Sequence, residues 1–153
     1  MLANIIARWF RSGADHACWL LPPSPYHRRV RRLEGPELEA YDLVPHELAK
    51  RVRVMQVPFL PNHADGMTVG TWIFVRNDDD VSGNRALLAH ELVHVRQFAE
   101  QGRARFLVRY VREYLRRRWT GCGHRQAYLD ITAEVEARDE EAAWQRRRSS
   151  TTC

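Results

Sequence analysis

Apolar and polar positions alternate in the first half of the chain and recur at helical spacing in the second. Residues 51–57 (RVRVMQV) alternate and are β-branched, which predicts a strand that Pro58 and Pro61 end. Asp65-Gly66 marks a turn, and residues 67–76 (MTVGTWIFVR) carry the strongest strand pattern in the chain. Three aspartates and Ser82-Gly83 then form a polar loop. From Asn84 to about Glu100 the apolar residues repeat as on a helix, which Gln101-Gly102 stops. A second helix is predicted over 103–118, broken by Gly121-Cys122-Gly123, and a third over 125–147. Upstream, residues 1–20 predict a short amphipathic helix, Pro22, Pro23 and Pro25 an extended linker, and Pro45 the first turn of a short helix. The organisation expected is an arm and linker over 1–33, one domain over 34–148 and a frayed tail over 149–153. Strands followed by helices make that domain α+β.

Composition narrows the class. A chain of 153 residues with 44% hydrophobic and 28% charged residues is an ordinary globular protein that folds without disulfide staples. Cys18, Cys122 and Cys153 are widely spaced with no C-x-x-C pair, so free thiols are expected. No apolar run approaches a membrane span, and Arg8, Arg11, Asp15 and His16 interrupt the N-terminal run too early for a secretory signal. A cytoplasmic location is the default expectation. The net charge is +5, and Lys50 is the only lysine among 24 basic residues. Guanidinium groups suit phosphate and carboxylate alike, so the excess does not choose between nucleic acid and an acidic partner. Seven arginines against one acid over 103–118 read first as a solvated face, with an acidic partner as the alternative. No RNA-binding motif or zinc finger supports specific nucleic-acid binding.

The chemistry lies in His90-Glu91-Leu92-Val93-His94, an H-E-x-x-H sequence inside the first long predicted helix. Positions i and i+4 differ by about 40° on a helix, so both imidazoles can face one ion. Neutral histidine nitrogens suit Zn²⁺, and the glutamate between them is placed to accept a proton from water activated by that ion. With 7 histidines in the chain, chance produces the pattern at about the 2% level, which is its false-positive risk. Two histidines leave a catalytic zinc site one protein ligand short. Glu113, Glu134 and Glu136 are the downstream candidates. Glu113 sits opposite the predicted apolar stripe of Ala104, Leu107, Val108, Val111, Tyr114 and Leu115, among Arg109, Arg116 and Arg117, where a solvated salt bridge is the better reading. In the third helix the stripe is Ala127, Tyr128, Ile131, Val135 and Ala142; Glu134 borders it and Glu136 points away. Unpaired burial of a carboxylate is costly, so Glu134 is the expected third ligand.

ADGMTVGTWIFVR, the polar loop, ALLAHELVHVRQF and AYLDITAEVEAR together resemble the small gluzincin-type zincins, and are closest to the bacterial metallopeptidase-like core domain associated with extracellular contractile injection systems. The resemblance covers roughly residues 60 to 140. It implies a zincin-like domain, zinc on His90, His94 and Glu134, and Glu91 as general base. Four residues after the third ligand such proteins often carry Asp; this chain has Arg138. The resemblance also makes the strand before the H-E-x-x-H helix a sheet edge, so that Thr71 to Arg76 would bind a peptide backbone by β-augmentation, an ordinary core strand being the alternative. Tyr128 and His124 are the candidates for stabilising an oxyanion. His16, His27, His46 and His63 are expected at the surface or in turns. The function expected is a zinc-dependent metallopeptidase, with a zincin-fold docking module and a basic nucleic-acid-associated protein as alternatives.

Overall fold

Four strands and six helices make up the described residues of the computed structural model, which are 30–60, 64–78, 83 and 85–151. The strands are β1 (Val30–Arg31), β2 (Arg53–Gln56), β3 (Gly66–Val69) and β4 (Trp72–Val75). The helices are α1 (Gly35–Ala40), α2 (His46–Ala49), α3 (Ala86–Gln101), α4 (Arg103–Trp119), α5 (His124–Leu129) and α6 (Thr132–Thr151). The fold is α+β, as expected. Of the predicted arm, residues 1–29 lie outside the described residues, as do His16, His27, His63, Cys18 and Cys153. At the end of the predicted linker, Val30 and Arg31 pair with Met55 and Val54, and Leu33 is buried.

The sheet order is β1-β2-β4-β3, with β2 and β4 parallel and the other neighbours antiparallel. Residues 67–76, expected as one strand, form a hairpin. Gly70 adopts φ 65, a left-handed conformation that a side chain disfavours, and the chain reverses there so that Val69 pairs with Trp72 and Gly66 with Val75. A two-residue turn shifts the alternation by one position, which a linear reading misses. β4 therefore lies between β2 and β3. The expectation that 71–76 offers a free edge is corrected, because both sides of β4 are already hydrogen-bonded; among the described residues the free edge on that side is β3.

Val54, Ile73 and Val75 on the inner face of the sheet share one core with Leu88, Ala89, Leu92, Val93 and Val95 of α3, and with Ala137 and Trp144 of α6. Helix α3 packs on both β3 and α6, which is why it is apolar nearly all round and why the polar residues inside it need partners. Met55, Val57, Leu60, Met67, Val69 and Phe74 form a smaller cluster on the outer face.

Two helices differ from expectation. The predicted third helix breaks at Asp130-Ile131, where the Arg138 side chain donates to the Leu129 carbonyl. The break resets the helical phase, so α6 buries Glu134, Ala137 and Trp144 while Val135, placed in the stripe by a continuous wheel, is exposed. The tail is helical to Thr151, with the Ser149 and Ser150 hydroxyls donating to Gln145 and Arg146 carbonyls. In α4 the buried residue is Phe106, whose ring lies 4.1 Å from that of Phe98 and 5.8 Å from that of Tyr110. The aliphatic sector faces outward, with Val108 68% and Leu115 45% accessible.

A buried ion network ties the first elements to α3. Arg31 reaches Glu37 Oε2 at 2.6 Å and Asp78 Oδ2 at 2.6 Å, and Arg85 reaches Asp78 Oδ1 at 2.8 Å. Tyr41 accepts the Arg85 N–H at 3.0 Å and stacks on Trp144 at 5.2 Å, while the Trp144 indole donates to the Ala40 carbonyl at 2.9 Å. Trp144 thus joins α6 to α1 inside the core. Replacing Trp144 by Ala should cost about 3–5 kcal/mol of stability, read from the shift of a denaturant-unfolding midpoint; a loss under about 1 kcal/mol would show that α6 is held mainly by its other contacts.

Candidate metal centre

One turn of α3 separates His90 from His94, and their rings meet nearly edge to face at 4.9 Å between centroids. The first turn of α6 brings Glu134 against both. Glu134 Oε2 lies 3.4 Å from His90 Nε2, and Oε1 lies 3.5 Å from His94 Nε2. One ligand atom from each of the three residues falls within 4.8 Å of the others. The side chains of His90, His94 and Glu134 are 15%, 8% and 4% accessible, so the donors converge in a site largely closed to bulk water. Two imidazole nitrogens and a carboxylate are the donor set of a catalytic zinc site with one position left for water, and the residues present fit such an ion.

The histidines are backed by residues on the far side of their rings. His94 Nδ1 meets Gln97 Oε1 at 2.8 Å. The Gln97 amide nitrogen donates to the Ala133 carbonyl at 3.1 Å and Glu136 Oε2 at 3.0 Å, which fixes Oε1 as an acceptor. Nδ1 of His94 therefore carries a proton, which leaves Nε2 as the nitrogen that faces Glu134 and could bind an ion once its own proton is released. His90 Nδ1 lies 3.2 Å from Glu141 Oε2. On the carboxylate, the Tyr110 hydroxyl donates to Glu134 Oε1 at 2.6 Å.

Glu91, 4% accessible, points toward β3, where the Thr68 hydroxyl donates to its Oε2 at 2.7 Å. Gly66 leaves room for it: a Cβ on Gly66 would stand 2.5 Å from Glu91 Oε1 and 3.0 Å from Leu87 Cδ1. Burial raises the Glu91 pKa, against the charge of His94 and the Thr68 hydrogen bond. For Glu134, burial acts upward but the hydrogen bonds from His90, His94 and Tyr110 outweigh it and hold the carboxyl well below its usual range. Burial acts downward on His94, yet the bond to Glu134 and the charges of Glu91 and Glu134 raise it overall. Without an ion, then, His94 and Glu134 favour a charged pair.

The remaining expected residues fall in different surroundings. Tyr128 is 41% accessible at the residue level, but its hydroxyl is in the field of Glu134, Glu91 and Tyr110; burial of that end and the Glu134 charge raise its pKa and keep it a donor. His124 is exposed, and its Nδ1 meets the Tyr114 hydroxyl at 2.6 Å. Glu113 pairs with Arg109 at 2.9 Å and also accepts the Thr132 N–H at 2.7 Å, capping the first turn of α6. Glu136 does not simply point to solvent: besides Gln97 it reaches Arg96 at 3.3 Å. Gly66 was read only as a turn residue, and none of Tyr110, Thr68, Gly66, Gln97 and Glu141 was singled out as a site residue in the sequence. Only Tyr110 left a signal there, through the i, i+4 aromatic pair Phe106 and Tyr110.

Residues 61–102 match the eCIS core domain family. That span contains β3, β4 and α3, hence Gly66, Thr68, His90, Glu91 and His94, while Glu134, Tyr110 and Glu141 lie beyond it. Over this span the chain resembles a metallopeptidase-like family, in agreement with the motifs. No curated protein and no solved structure matches the chain.

Two outcomes follow from the geometry. A Gly66→Ala change should cost about 1–3 kcal/mol by overpacking, and less in a Glu91→Ala background, as measured by a double-mutant cycle; equal cost in both backgrounds would make Leu87 the obstacle. In chelator-treated protein, the Glu134 contribution is fully present above its unfolded pKa, near 4.5, and is lost as pH falls through the depressed folded value. That of His94 is fully present below its unfolded pKa, near 6.5, and is lost as pH rises through the elevated one. The stability difference between wild type and Glu134→Gln should therefore peak between pH 4.5 and 6.5. A difference that rises steadily to pH 8 would contradict the pair.

Proposed function

We propose that this chain is a zincin-type zinc metallopeptidase that hydrolyses peptide bonds, a reading carried by the convergence of His90, His94 and Glu134 beside the buried carboxylate of Glu91. Zinc bound by those three residues would supply Lewis acidity, polarising the scissile carbonyl and making water nucleophilic near neutral pH. Glu91 is not a ligand in this reading. Its carboxylate takes the proton of the attacking water and delivers it to the amine nitrogen as the C–N bond breaks, and a pKa raised by burial brings it toward the range useful for both transfers. Thr68 holds that carboxylate in place from β3. Tyr128, a hydroxyl in the field of Glu91 and Glu134, is the better oxyanion donor of the two candidates, because His124 is engaged by Tyr114.

The substrate would lie extended along β3, since Gly66–Val69 is the sheet edge beside α3 and two of its residues touch Glu91. An acidic partner for the exposed arginines of α4, among them Arg105, Arg112 and Arg116, is a separate proposal about the same molecule. Among the described residues no helix is long and apolar enough to cross a membrane.

Purified full chain should bind one zinc ion, and a His90→Ala, His94→Ala double variant should not. Glu91→Gln should keep the zinc and lose peptide cleavage, since an amide cannot serve as a base. Zinc-loaded wild type that cleaves no member of a peptide library would favour the docking-module alternative, in which the fold and ion are kept without turnover.

A further inference from the structure

We propose that Glu141 is the carboxylate that orients His90 toward the ion. The proposal rests on the reading of His90, His94 and Glu134 as a metal site. A histidine ligand binds through one ring nitrogen, and the hydrogen bond made by the other fixes its tautomer and ring angle. For His94 that bond comes from Gln97, on the same helix. For His90 it must come from α6.

The position four residues after Glu134 is Arg138, a cation that would repel an ion and cannot accept a hydrogen bond. Its guanidinium is turned to the Leu129 carbonyl, where it closes the α5–α6 junction. Two helical turns after Glu134 the same face of α6 returns, at roughly 20° of rotation and about 10 Å of rise, and Glu141 stands there. Helices α3 and α6 run antiparallel, since Gln97 meets Ala133 while His90 meets Glu141. A glutamate at this level therefore reaches the ring of His90 from the side away from Glu134: Oε2 is 3.2 Å from Nδ1. Its other oxygen accepts from the Gln145 amide at 3.1 Å, which holds the carboxylate in that rotamer. With Nδ1–H donated to Glu141, Nε2 of His90 is the nitrogen that faces Glu134 and the ion position. Glu141 is thus a positioning residue that does not touch the ion.

The test is zinc titration of the full chain as wild type, Glu141→Ala, Glu141→Gln and Asp139→Ala, the last being an exposed change on the same helix. Glu141→Ala should weaken zinc binding about 10- to 100-fold at unchanged stoichiometry. Glu141→Gln, whose amide oxygen still accepts, should recover part of the loss, and Asp139→Ala should bind within about twofold of wild type. Wild-type affinity in Glu141→Ala, or equal weakening in Asp139→Ala, overturns the proposal. Nitrogen-resolved NMR of His90 in the metal-free protein gives a second readout: Nδ1 should be protonated in wild type and lose that preference in Glu141→Ala. A wild type that takes up no zinc overturns the metal reading itself, whereas an unprotonated Nδ1 in metal-free wild type overturns the role of Glu141 alone.

Discussion

Glu134 is a carboxylate almost completely removed from water, and the way α6 lies on α3 follows from what that burial requires. An unpaired charge in such a place costs several kcal/mol. Here it is met by the Nε2 atoms of two histidines and by the Tyr110 hydroxyl, which come from two other helices. Sliding α6 by one residue along α3 would strip the carboxylate of all three partners together. The same register seats Gln97 against the Ala133 carbonyl and Arg96 against Glu140 at 2.5 Å. Apolar contact through Ala137 and Trp144 supplies much of the adhesion, but apolar surfaces tolerate slippage and the polar set does not.

The face of α3 toward the sheet obeys a similar rule. Glu91 is buried where an ordinary core helix would carry leucine, and the sheet accommodates it in two ways: a hydroxyl at Thr68 to bond it and no side chain at Gly66 to displace it. Because β3 is joined to β4 by the turn at Gly70, this accommodation is local to one hairpin followed by one helix, which is the span shared with the eCIS core family. Glu134, the third candidate ligand, and its partner Tyr110 lie in α6 and α4, beyond that span. The centre is therefore assembled from a contiguous half and a half that only tertiary packing delivers.

That division also explains what could be read from the chain. His90, Glu91 and His94 are legible because their relation is set by the pitch of a single helix. Glu134 was legible through the cost of leaving a carboxylate beside an apolar stripe unpaired, although the stripe itself was misdrawn: the break at Asp130-Ile131 rotated it, and Val135 came out exposed. The hairpin within 67–76 was missed because a two-residue turn hides inside an alternating pattern. The burial of α4 was misjudged because that helix has two apolar sectors, and the packing uses the aromatic one of Phe106 and Tyr110. Thr68, Gly66 and Glu141 could not be found by spacing, since each meets its partner across 23 or more residues of sequence.

An ion in this site would couple chemistry to folding. In the metal-free chain the His94–Glu134 contact favours the charged forms of both groups, and it is one of the contacts that hold α6 on α3. A metal ion held by His90, His94 and Glu134 would require the histidines neutral, so its binding would release protons and be weakened at low pH. Since the three donors converge on one point, little reorganisation would be needed to hold an ion there. The buried carboxylate that helps set how the helices pack would thus also preorganise a metal position, and the stability of the fold and any affinity for an ion would draw on the same three side chains.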